Sequence, residues 1–275
     1  MEIVASSASR GRAESIRSGR CDAVPISSGV WVRDLVSKTC GAKGFSTFTA
    51  SFDVGSRLQY HSHGFSEAIV VLSGMAQVAV EGRRYFLKAY DCIHVPAGVA
   101  HEAVNPSRDS ELLTLSAFAS PETSRDLLDA DFPLCERGLA NPLPENPESI
   151  VRFENASIYE LSKGTEFRDL FAGRFGSVGI CGGYGKFRPN SSLPCHIHQY
   201  DESITIIDGE AVCLVQGNRY ELSGCDTAFV PQGRPHRFLN NSISPMAMVW
   251  VYAGSEPERT LVDPAYCDGS LIWPS

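Results

Sequence analysis

The chain has 275 residues, a length that predicts two domains rather than one. Its apolar content of 43% and charged content of 20% are those of a folded globular protein, so wholesale disorder is excluded. The net charge of -8 would repel a nucleic-acid backbone, and no basic cluster interrupts the acidic balance. We therefore expect a two-domain globular protein that binds no nucleic acid.

The first 20 residues contain arginines interspersed with serines. They lack the apolar core of a secretory signal, and no apolar run that follows is long enough to span a bilayer. We predict that residues 1–40 form a partly disordered N-terminal extension of a cytoplasmic protein that has no membrane partner. A transit peptide is the alternative interpretation.

Short β-like segments separated by turn residues begin at residue 45. In the first half they lie at residues 45–52, 67–74, 76–82 and 111–118. One helix is predicted over residues 121–132, where Thr123 or Ser124 could cap its first turn. A stretch rich in proline and asparagine follows, and we assign residues 136–165 to a linker. The second half returns to β-like segments, at residues 202–209, 210–217, 227–231 and 246–254.

Eight residues of the first half recur in the second half, each displaced by 135 positions. They are His61, His63, Glu67, Gly74, Pro96, Gly98, His101 and Asn105, with the counterparts His196, His198, Glu202, Gly209, Pro231, Gly233, His236 and Asn240. Two copies of one antiparallel β unit are therefore predicted, each closed on itself. We place an N-terminal barrel at residues 41–135 and a C-terminal barrel at residues 166–275.

Six of the seven histidines belong to this repeat, beside one glutamate in each copy. Side chains i and i+2 of a strand project from one face, so His61 and His63 can share a ligand, whereas in a helix they would point about 200° apart. Glu67 would lie roughly 13 Å further along a straight strand. The chain must therefore turn at residues 64–66, and at residues 199–201 in the second copy.

The last histidine of each copy follows a Pro-x-Gly turn and must come from a separate strand. Three imidazoles and one carboxylate then meet, and these are ligands of a divalent transition metal. We predict one such ion per barrel, and the ligands are compatible with Fe, Mn, Ni, Zn or Cu. The predicted ligands are His61, His63, Glu67 and His101 in the first barrel and His196, His198, Glu202 and His236 in the second.

Open coordination positions and the positive charge of such a site favour a small-molecule substrate that is anionic or chelating. Glu67 and Glu202 could in addition act as proton acceptors.

These residues resemble the two conserved motifs of the cupin superfamily, and their duplication resembles a bicupin. The motif G-x5-HxH-x3,4-E-x6-G is matched in full from Gly55 to Gly74, and the second copy departs from it at Asn190. The motif G-x5-PxG-x2-H-x3-N lacks its leading glycine in both copies, where Tyr90 and Cys225 stand, and we expect those turns to differ slightly. The resemblance implies an all-β fold of two tandem double-stranded β-helix (jelly-roll) barrels.

Cupins with a complete ligand set include quercetinase-like dioxygenases, oxalate decarboxylase-like enzymes, isomerases of sugars and keto acids, and binding proteins. Our first expectation is a dioxygenase of a small oxygen-rich organic substrate, namely a keto acid, an enol or a phenolic. A non-redox isomerase or lyase/decarboxylase of a small acid or sugar is one alternative, and a metal-dependent binding module is another. We expect the two copies to be unequal in their roles. Both a monomer and a homo-oligomer are compatible with the sequence.

Nine cysteines without CxxC spacing predict reduced thiols. Cys195 adjoins His196 but faces away from it in a strand, so we predict that it packs rather than reacts. His94, whose counterpart is Phe229, is predicted either to pack in the core or to lie at the surface, and we assign it no functional role. The last β-like segment alternates apolar side chains that either line the second cavity or form simple core: Met246, Met248, Trp250 and Tyr252.

Overall fold

The structure, a computed structural model, describes residues 15–17, 22–129, 132–133, 135 and 138–274. Over these residues the regular structure is β-strand apart from three short 3-10 turns and a single α-helix of five residues, α1 (Pro264–Asp268). The strands form four antiparallel sheets, two in each barrel. This confirms the predicted all-β fold of two jelly-roll barrels. No helix in the described part of the chain is long and apolar enough to cross a membrane.

The first barrel is a sandwich of a seven-stranded and a five-stranded sheet. The strands of the chain up to residue 151 are β1 (Ser15–Arg17), β2 (Val24–Ser27), β3 (Val30–Val36), β4 (Ser46–Phe52), β5 (Arg57–Ser62), β6 (Glu67–Ser73), β7 (Ala76–Val80), β8 (Arg83–Leu87), β9 (Cys92–Val95), β10 (His101–Val104), β11 (Leu112–Phe118), β12 (Asp126–Leu127) and β13 (Ser149–Val151). The larger sheet has the order β13-β9-β6-β11-β4-β3-β2, and the smaller sheet has the order β12-β5-β10-β7-β8.

The second barrel repeats this sandwich with a six-stranded and a five-stranded sheet. Its strands are β14 (Thr165–Phe171), β15 (Cys181–Phe187), β16 (His196–Ile197), β17 (Glu202–Asp208), β18 (Glu210–Val215), β19 (Asn218–Ser223), β20 (Thr227–Val230), β21 (His236–Leu239), β22 (Met246–Tyr252) and β23 (Thr260–Leu261). The orders are β1-β20-β17-β22-β15-β14 and β19-β18-β21-β16-β23. All eight predicted β segments are confirmed as strands.

Each barrel contains one edge strand that comes from the chain segment just before the other barrel. β1 precedes the first barrel but pairs with β20 of the second, where Ser15 lies opposite Phe229. β13 precedes the second barrel but pairs with β9 of the first, where Ser149 lies opposite His94. His94 and Phe229 are counterparts in the repeat, so the two additions are equivalent and the strands are exchanged reciprocally.

Strands also occur outside the predicted barrel limits. Residues 24–36, which we assigned to the N-terminal extension, form β2 and β3 of the first barrel's larger sheet. β13 lies within the predicted linker at residues 136–165. Residues 1–14 fall outside the described residues, so their disorder stays a prediction, as does the division at the linker.

The two larger sheets pack face to face across the molecule. On β6, Ile69 and Val71 face the interior of the first barrel. Ala68 and Val70 on the same strand pack against the second barrel, in a cluster that includes Val249. Both faces of these strands are therefore buried, which explains why β6 and β22 are almost continuously apolar in sequence.

No helix forms over the described residues of the segment 121–132, so this prediction is wrong. Asp126 and Leu127 instead pair as β12 with β5, opposite Ser62 and His61. The edge of β5 offers backbone hydrogen bonds to the passing chain, and this tertiary pairing outweighs a local capping signal.

The prediction of reduced cysteines is also wrong at one pair. Cys195 and Cys267 form a disulfide, with Cα atoms 6.0 Å apart and 72 positions between them in sequence. Alternation along the strand turns Cys195 away from His196, and α1 brings Cys267 to that opposite face. The other cysteines in the described residues form no disulfide. Because disulfides are rare in the cytosol, the cytoplasmic location stays a prediction.

Candidate metal centres

The four predicted ligands of the first barrel converge in its interior, with ligand atoms within 4.8 Å of one another. His61 lies in β5 and His101 begins β10, and the two residues face each other across this strand pair. His63 follows β5, and a bend at residues 64–65 returns the chain so that Glu67 begins β6. The structure thus contains the corner that the spacing predicted.

The second barrel repeats this arrangement residue for residue. His196 lies opposite His236 across β16 and β21, and Glu202 begins β17 after a bend at residues 199–200. All eight ligand side chains are buried. Each barrel therefore holds a three-histidine, one-glutamate set that can coordinate one divalent ion.

Backbone carbonyls fix the orientation of all six imidazole rings. The Nδ1 atoms of His61, His63 and His101 donate to carbonyl oxygens at 2.8, 2.6 and 3.0 Å. The rings of the second set do the same at 2.8, 2.6 and 2.8 Å. Because a carbonyl oxygen only accepts, each Nδ1 carries a proton and each Nε2 is left to face the ligand cluster.

The donor chemistry fits a metal ion. Nε2 of His63 and Nε2 of His101 lie 3.3 and 2.9 Å from Oε2 of Glu67. In the second set, the corresponding distances from His198 and His236 to Glu202 are 3.3 and 2.6 Å. An Nε2 lone pair this close to a carboxylate oxygen is repelled by it unless a proton or a metal ion lies between the two atoms. One divalent ion satisfies all four donors at once.

The electrostatics of the two clusters are similar. Burial raises the pKa of Glu67, but hydrogen bonds from His101 and His63 outweigh it and hold the pKa well below the ordinary value of 4.5. Burial likewise raises the pKa of Glu202, but the charges of His198 and His236 outweigh it and hold the pKa well below 4.5. Burial lowers the pKa of His61 to about 4. An ionised carboxylate and a neutral imidazole are the forms that bind metals, whereas the role of the glutamates as proton acceptors stays a prediction.

A short segment that follows the last long strand of each barrel orients one of the ligands, and we call residues 124–127 the first strap and residues 258–261 the second strap. The carbonyl that orients His63 belongs to Ser124 in the first strap. The carbonyl that orients His198 belongs to Glu258 in the second strap. Each strap then pairs with the strand that carries the first histidine of its barrel.

The straps were missed in the sequence because the first was interpreted as part of a helix. Their residues are displaced by 134 positions rather than 135. Arg125 and Leu127 of the first strap recur as Arg259 and Leu261 of the second. This Arg-x-Leu repeat was the signal that could have identified them.

The two barrel interiors differ in free volume. A cavity of about 660 Å³ reaches the ligands His61, His63, Glu67 and His101 of the first barrel. Beside the second ligand set the free volume is only about 10 Å³. That volume holds no more than about one water molecule.

Side-chain volumes at equivalent positions account for this difference. Ser116 faces the first cavity. Trp250 takes the place of Ser116 in the strand pairing of the second barrel. Trp250 packs on Gly183, where an added Cβ would lie 2.7 Å from the indole ring. Ala103 of the first cavity likewise corresponds to Phe238, which lies in the second core.

The even-numbered side chains of β22 that we expected to line a cavity or form core therefore fill the second interior. They are Met246, Met248, Trp250 and Tyr252.

The expected difference between the glycine-lacking turns is wrong. Tyr90 and Cys225 both adopt a φ of 68°. Their amides donate to Val71 and Ile206 at the same distance of 2.7 Å. These matching hydrogen bonds hold both turns in the left-handed conformation that the family's glycine would adopt. His94, which differs from its counterpart Phe229, is buried opposite Ala68 and belongs to neither ligand cluster.

The sequence profile of the cupin domain matches residues 48–118 and 183–252, which together make up more than half of the chain. Both ligand sets lie within the matched ranges. The chain belongs to the cupin domain family. Its two complete ligand sets make it a bicupin with one potential site for a divalent metal in each barrel.

Among curated proteins, this bicupin is similar to the quercetin 2,3-dioxygenase of Bacillus subtilis (strain 168), with 25% identity over 76% of this chain and 74% of that protein. Among solved structures, it is similar to the oxalate decarboxylase of Lactobacillus farciminis in a formate complex. The TM-score is 0.74 at 16% identity, over 90% of this chain and 88% of the other. A variant of the Bacillus subtilis oxalate decarboxylase also gives a TM-score of 0.74, at 15% identity over 90% and 79% of the two chains. At such identities these structures show the shared fold.

Proposed function

We propose that the first barrel is the active site of a metal-dependent dioxygenase that acts on a small oxygen-rich organic substrate. The observation that carries this proposal is the cavity of about 660 Å³ that ends at His61, His63, Glu67 and His101. A complete ligand set that adjoins space for an organic molecule is what a catalytic metal site requires. The similarity to a quercetin dioxygenase supports the choice of reaction class.

The protein's own residues supply binding and water exclusion. Neutral His61 and ionised Glu67 are in the forms that hold a divalent ion, and a redox-active ion there would supply the electron transfer that lets dioxygen react with an organic substrate. Apolar side chains such as Phe48, Phe52 and Ile69 line the cavity next to the ligands. They exclude water from the substrate and favour a flat or hydrocarbon-rich body.

The same wall favours a phenolic or enolic substrate over a sugar. The wall is mainly apolar, so a sugar would bury more hydroxyls against apolar groups than a phenolic would, and each hydroxyl without a hydrogen-bond partner costs free energy. The cavity is also far larger than a two-carbon acid requires. We therefore place the isomerase or lyase/decarboxylase of a small acid or sugar, and the metal-dependent binding module, behind the dioxygenase.

Oxygen consumption tests the proposal. The full chain would be loaded with iron or manganese, its metal content measured, and a panel of phenolics, enols and keto acids supplied in an oxygen-electrode cell. We expect dioxygen uptake in proportion to substrate loss. Turnover in the absence of oxygen would instead support the isomerase or lyase, and tight binding without turnover would support the binding module.

The two barrels should contribute unequally to this activity. His61→Ala removes a ligand beside the open cavity, whereas His196→Ala removes one in the filled interior. We expect the loss of turnover from His61→Ala to exceed that from His196→Ala by at least about a hundredfold, since each change removes one metal ligand but only the first adjoins space for substrate. Equal losses would show that both barrels take part in the reaction.

A further inference from the structure

One basic side chain of the first strap lines the cavity close to the ligand cluster. Arg125 is part of the cavity wall, and its Nη2 donates to the carbonyl oxygen of Ile26 at 2.8 Å. Its charge acts on both Glu67 and His63. The guanidinium is therefore fixed at one point and lies within electrostatic range of the ligand cluster.

Arg125 pairs with no carboxylate in the part of the chain that the structure describes. The other basic residue of the cavity wall, Lys38, differs because its ammonium lies 2.8 Å from Glu122. A guanidinium has five N–H donors, and the bond to Ile26 uses one of them. Donors thus remain for a group inside the cavity.

The second strap supplies an internal comparison. Arg259 occupies the same strap position and lies among Tyr159, Trp250 and Tyr252 in the filled interior. The free volume of about 10 Å³ there leaves no space for an organic ligand. The repeat therefore provides the same residue once beside an open cavity and once beside a closed one.

Given the proposed function, on which this inference rests, we propose that Arg125 binds an anionic oxygen of the substrate while the apolar wall holds the rest of the molecule. The substrate class is then an amphiphilic monoanion, that is, an aromatic or hydrocarbon-rich body with one carboxylate or one ionised enol or phenol. Planar guanidinium donors pair in a bidentate manner with a carboxylate, which adds orientation to affinity. Arg125 is in this scheme a substrate-binding residue that orients the molecule relative to the metal ligands.

A matched pair of probes separates this charge recognition from apolar burial. Calorimetry on the zinc-loaded full chain would compare the binding of 2-naphthoate with that of 2-naphthamide, which has the same body but no charge. Zinc supports no redox turnover, so the measurement does not depend on the dioxygenase reaction. The variants are Arg125→Gln, Arg125→Lys and, as the matched control in the closed barrel, Arg259→Gln.

We expect Arg125→Gln to weaken 2-naphthoate binding about tenfold to hundredfold, because a hydrogen-bonded charge is lost. The affinity for 2-naphthamide should stay within about threefold of that of the unaltered chain. Arg125→Lys should retain part of the affinity, and Arg259→Gln should change neither probe. The zinc content and thermal midpoint of each variant show whether the ligand set and fold are intact.

Several results would overturn the proposal. They are unmeasurable binding of 2-naphthoate to the unaltered chain, equal losses for both probes in Arg125→Gln, or an equal effect of Arg259→Gln. A failure of oxygen uptake with the expected probe binding would reject the dioxygenase but retain Arg125 as an anion-binding residue. The two proposals can thus fail separately.

Discussion

Single inward-facing residues distinguish two barrels whose metal ligands are the same. Ser116 and Trp250 occupy one position of the repeat, and Ala103 and Phe238 occupy another. The small residue of each pair lies beside the open cavity and the large residue in the packed interior. Ligand identity thus permits a metal in both barrels, whereas side-chain volume permits an organic substrate in only one.

Filling the first cavity should remove substrate binding without removing the metal. Ala103→Phe installs the residue that the second barrel has at this position, and Ala103 is not a metal ligand. We expect the affinity for 2-naphthoate to fall at least about tenfold because the space for its rings is lost, while the zinc content stays unchanged. Calorimetry and metal analysis measure the two quantities.

The reverse change, Phe238→Ala, is the control in the closed barrel. It should cost about 3 to 5 kcal/mol of stability through the cavity it creates, without weakening the binding of the probe to the first barrel. Undiminished probe binding in Ala103→Phe would show that the substrate lies elsewhere.

The ligands could be predicted from sequence because strand parity and spacing are local properties. The free volume inside the first barrel could not be predicted, because it depends on which residues meet across the interior. Trp250 was visible in an alternating run, but its partner Gly183 lies 67 positions earlier on β15. The turns at Tyr90 and Cys225 were located, but their left-handed conformation was not expected because residues other than glycine rarely adopt it.

At the scale of elements, each ligand set depends on the central strands of a barrel and on a strap that follows them in the chain. The first strap follows β11 directly, and no disulfide holds it among the described residues. The second strap leads into α1, and the disulfide between Cys195 and Cys267 ties that helix to the residue before His196. The residue next to His196 is therefore cross-linked to the helix that follows the second strap.

Removing this cross-link should loosen the second site. In a His61→Ala background, which leaves only the second ligand set intact, we expect Cys267→Ala to accelerate zinc transfer to a chelator by about tenfold. The expected loss of stability is about 4 kcal/mol, the chain-entropy value for a loop of this length. Stopped-flow transfer and denaturant unfolding measure the two effects.

Cys213→Ala serves as the control because it removes a cysteine of the same barrel that forms no disulfide. Its transfer rate should match that of the His61→Ala parent. An equal rate in the Cys267→Ala protein would mean that the strap holds its position without the disulfide.

Element prediction failed where pairing partners were distant. The segment 121–132 carries a capping signal, but the backbone of Asp126 and Leu127 pairs with residues about 65 positions earlier. The disulfide joins residues 72 positions apart and was invisible for the same reason. Strands such as β6 and β22 were predicted correctly because their apolar, β-branched composition is a local property.

At the scale of the whole molecule, a buried carboxylate fixes the chain where it passes from one barrel to the other. Glu148 accepts hydrogen bonds from Nε and Nη2 of Arg83 and from the hydroxyl of Tyr85, at 2.6 to 2.9 Å. It directly precedes β13, the strand that the first barrel receives from the connecting segment. Burial raises the pKa of Glu148, but the bonds from Arg83 and Tyr85 outweigh it, so the pKa lies below 4.5.

This shift predicts acid sensitivity. A carboxyl group with a depressed pKa contributes stability that is fully present above the unfolded value near 4.5 and is lost as the pH falls through the folded value. We expect Glu148→Gln to lower the free energy of unfolding by about 2 kcal/mol at pH 7, with a difference that shrinks below pH 4.5. Urea unfolding at a series of pH values measures the difference.

Glu166→Gln is the matched surface control, since Glu166 and Arg188 form an exposed pair at 3.7 Å. Its midpoint should follow that of the unaltered chain at every pH. A constant difference between Glu148→Gln and the parent across the pH range would contradict the assigned cause.

The reciprocal exchange of β1 and β13 has a consequence for the origin of the molecule. A single ancestral barrel with this architecture would have lacked its own edge strand and completed its sheet only by receiving one from a second copy, as a swapped dimer. Fusion of two such copies converts a concentration-dependent association into an intramolecular one. Once both copies share one chain, assembly no longer requires their cavities to be identical, so one copy could fill its interior while the other kept space for a ligand.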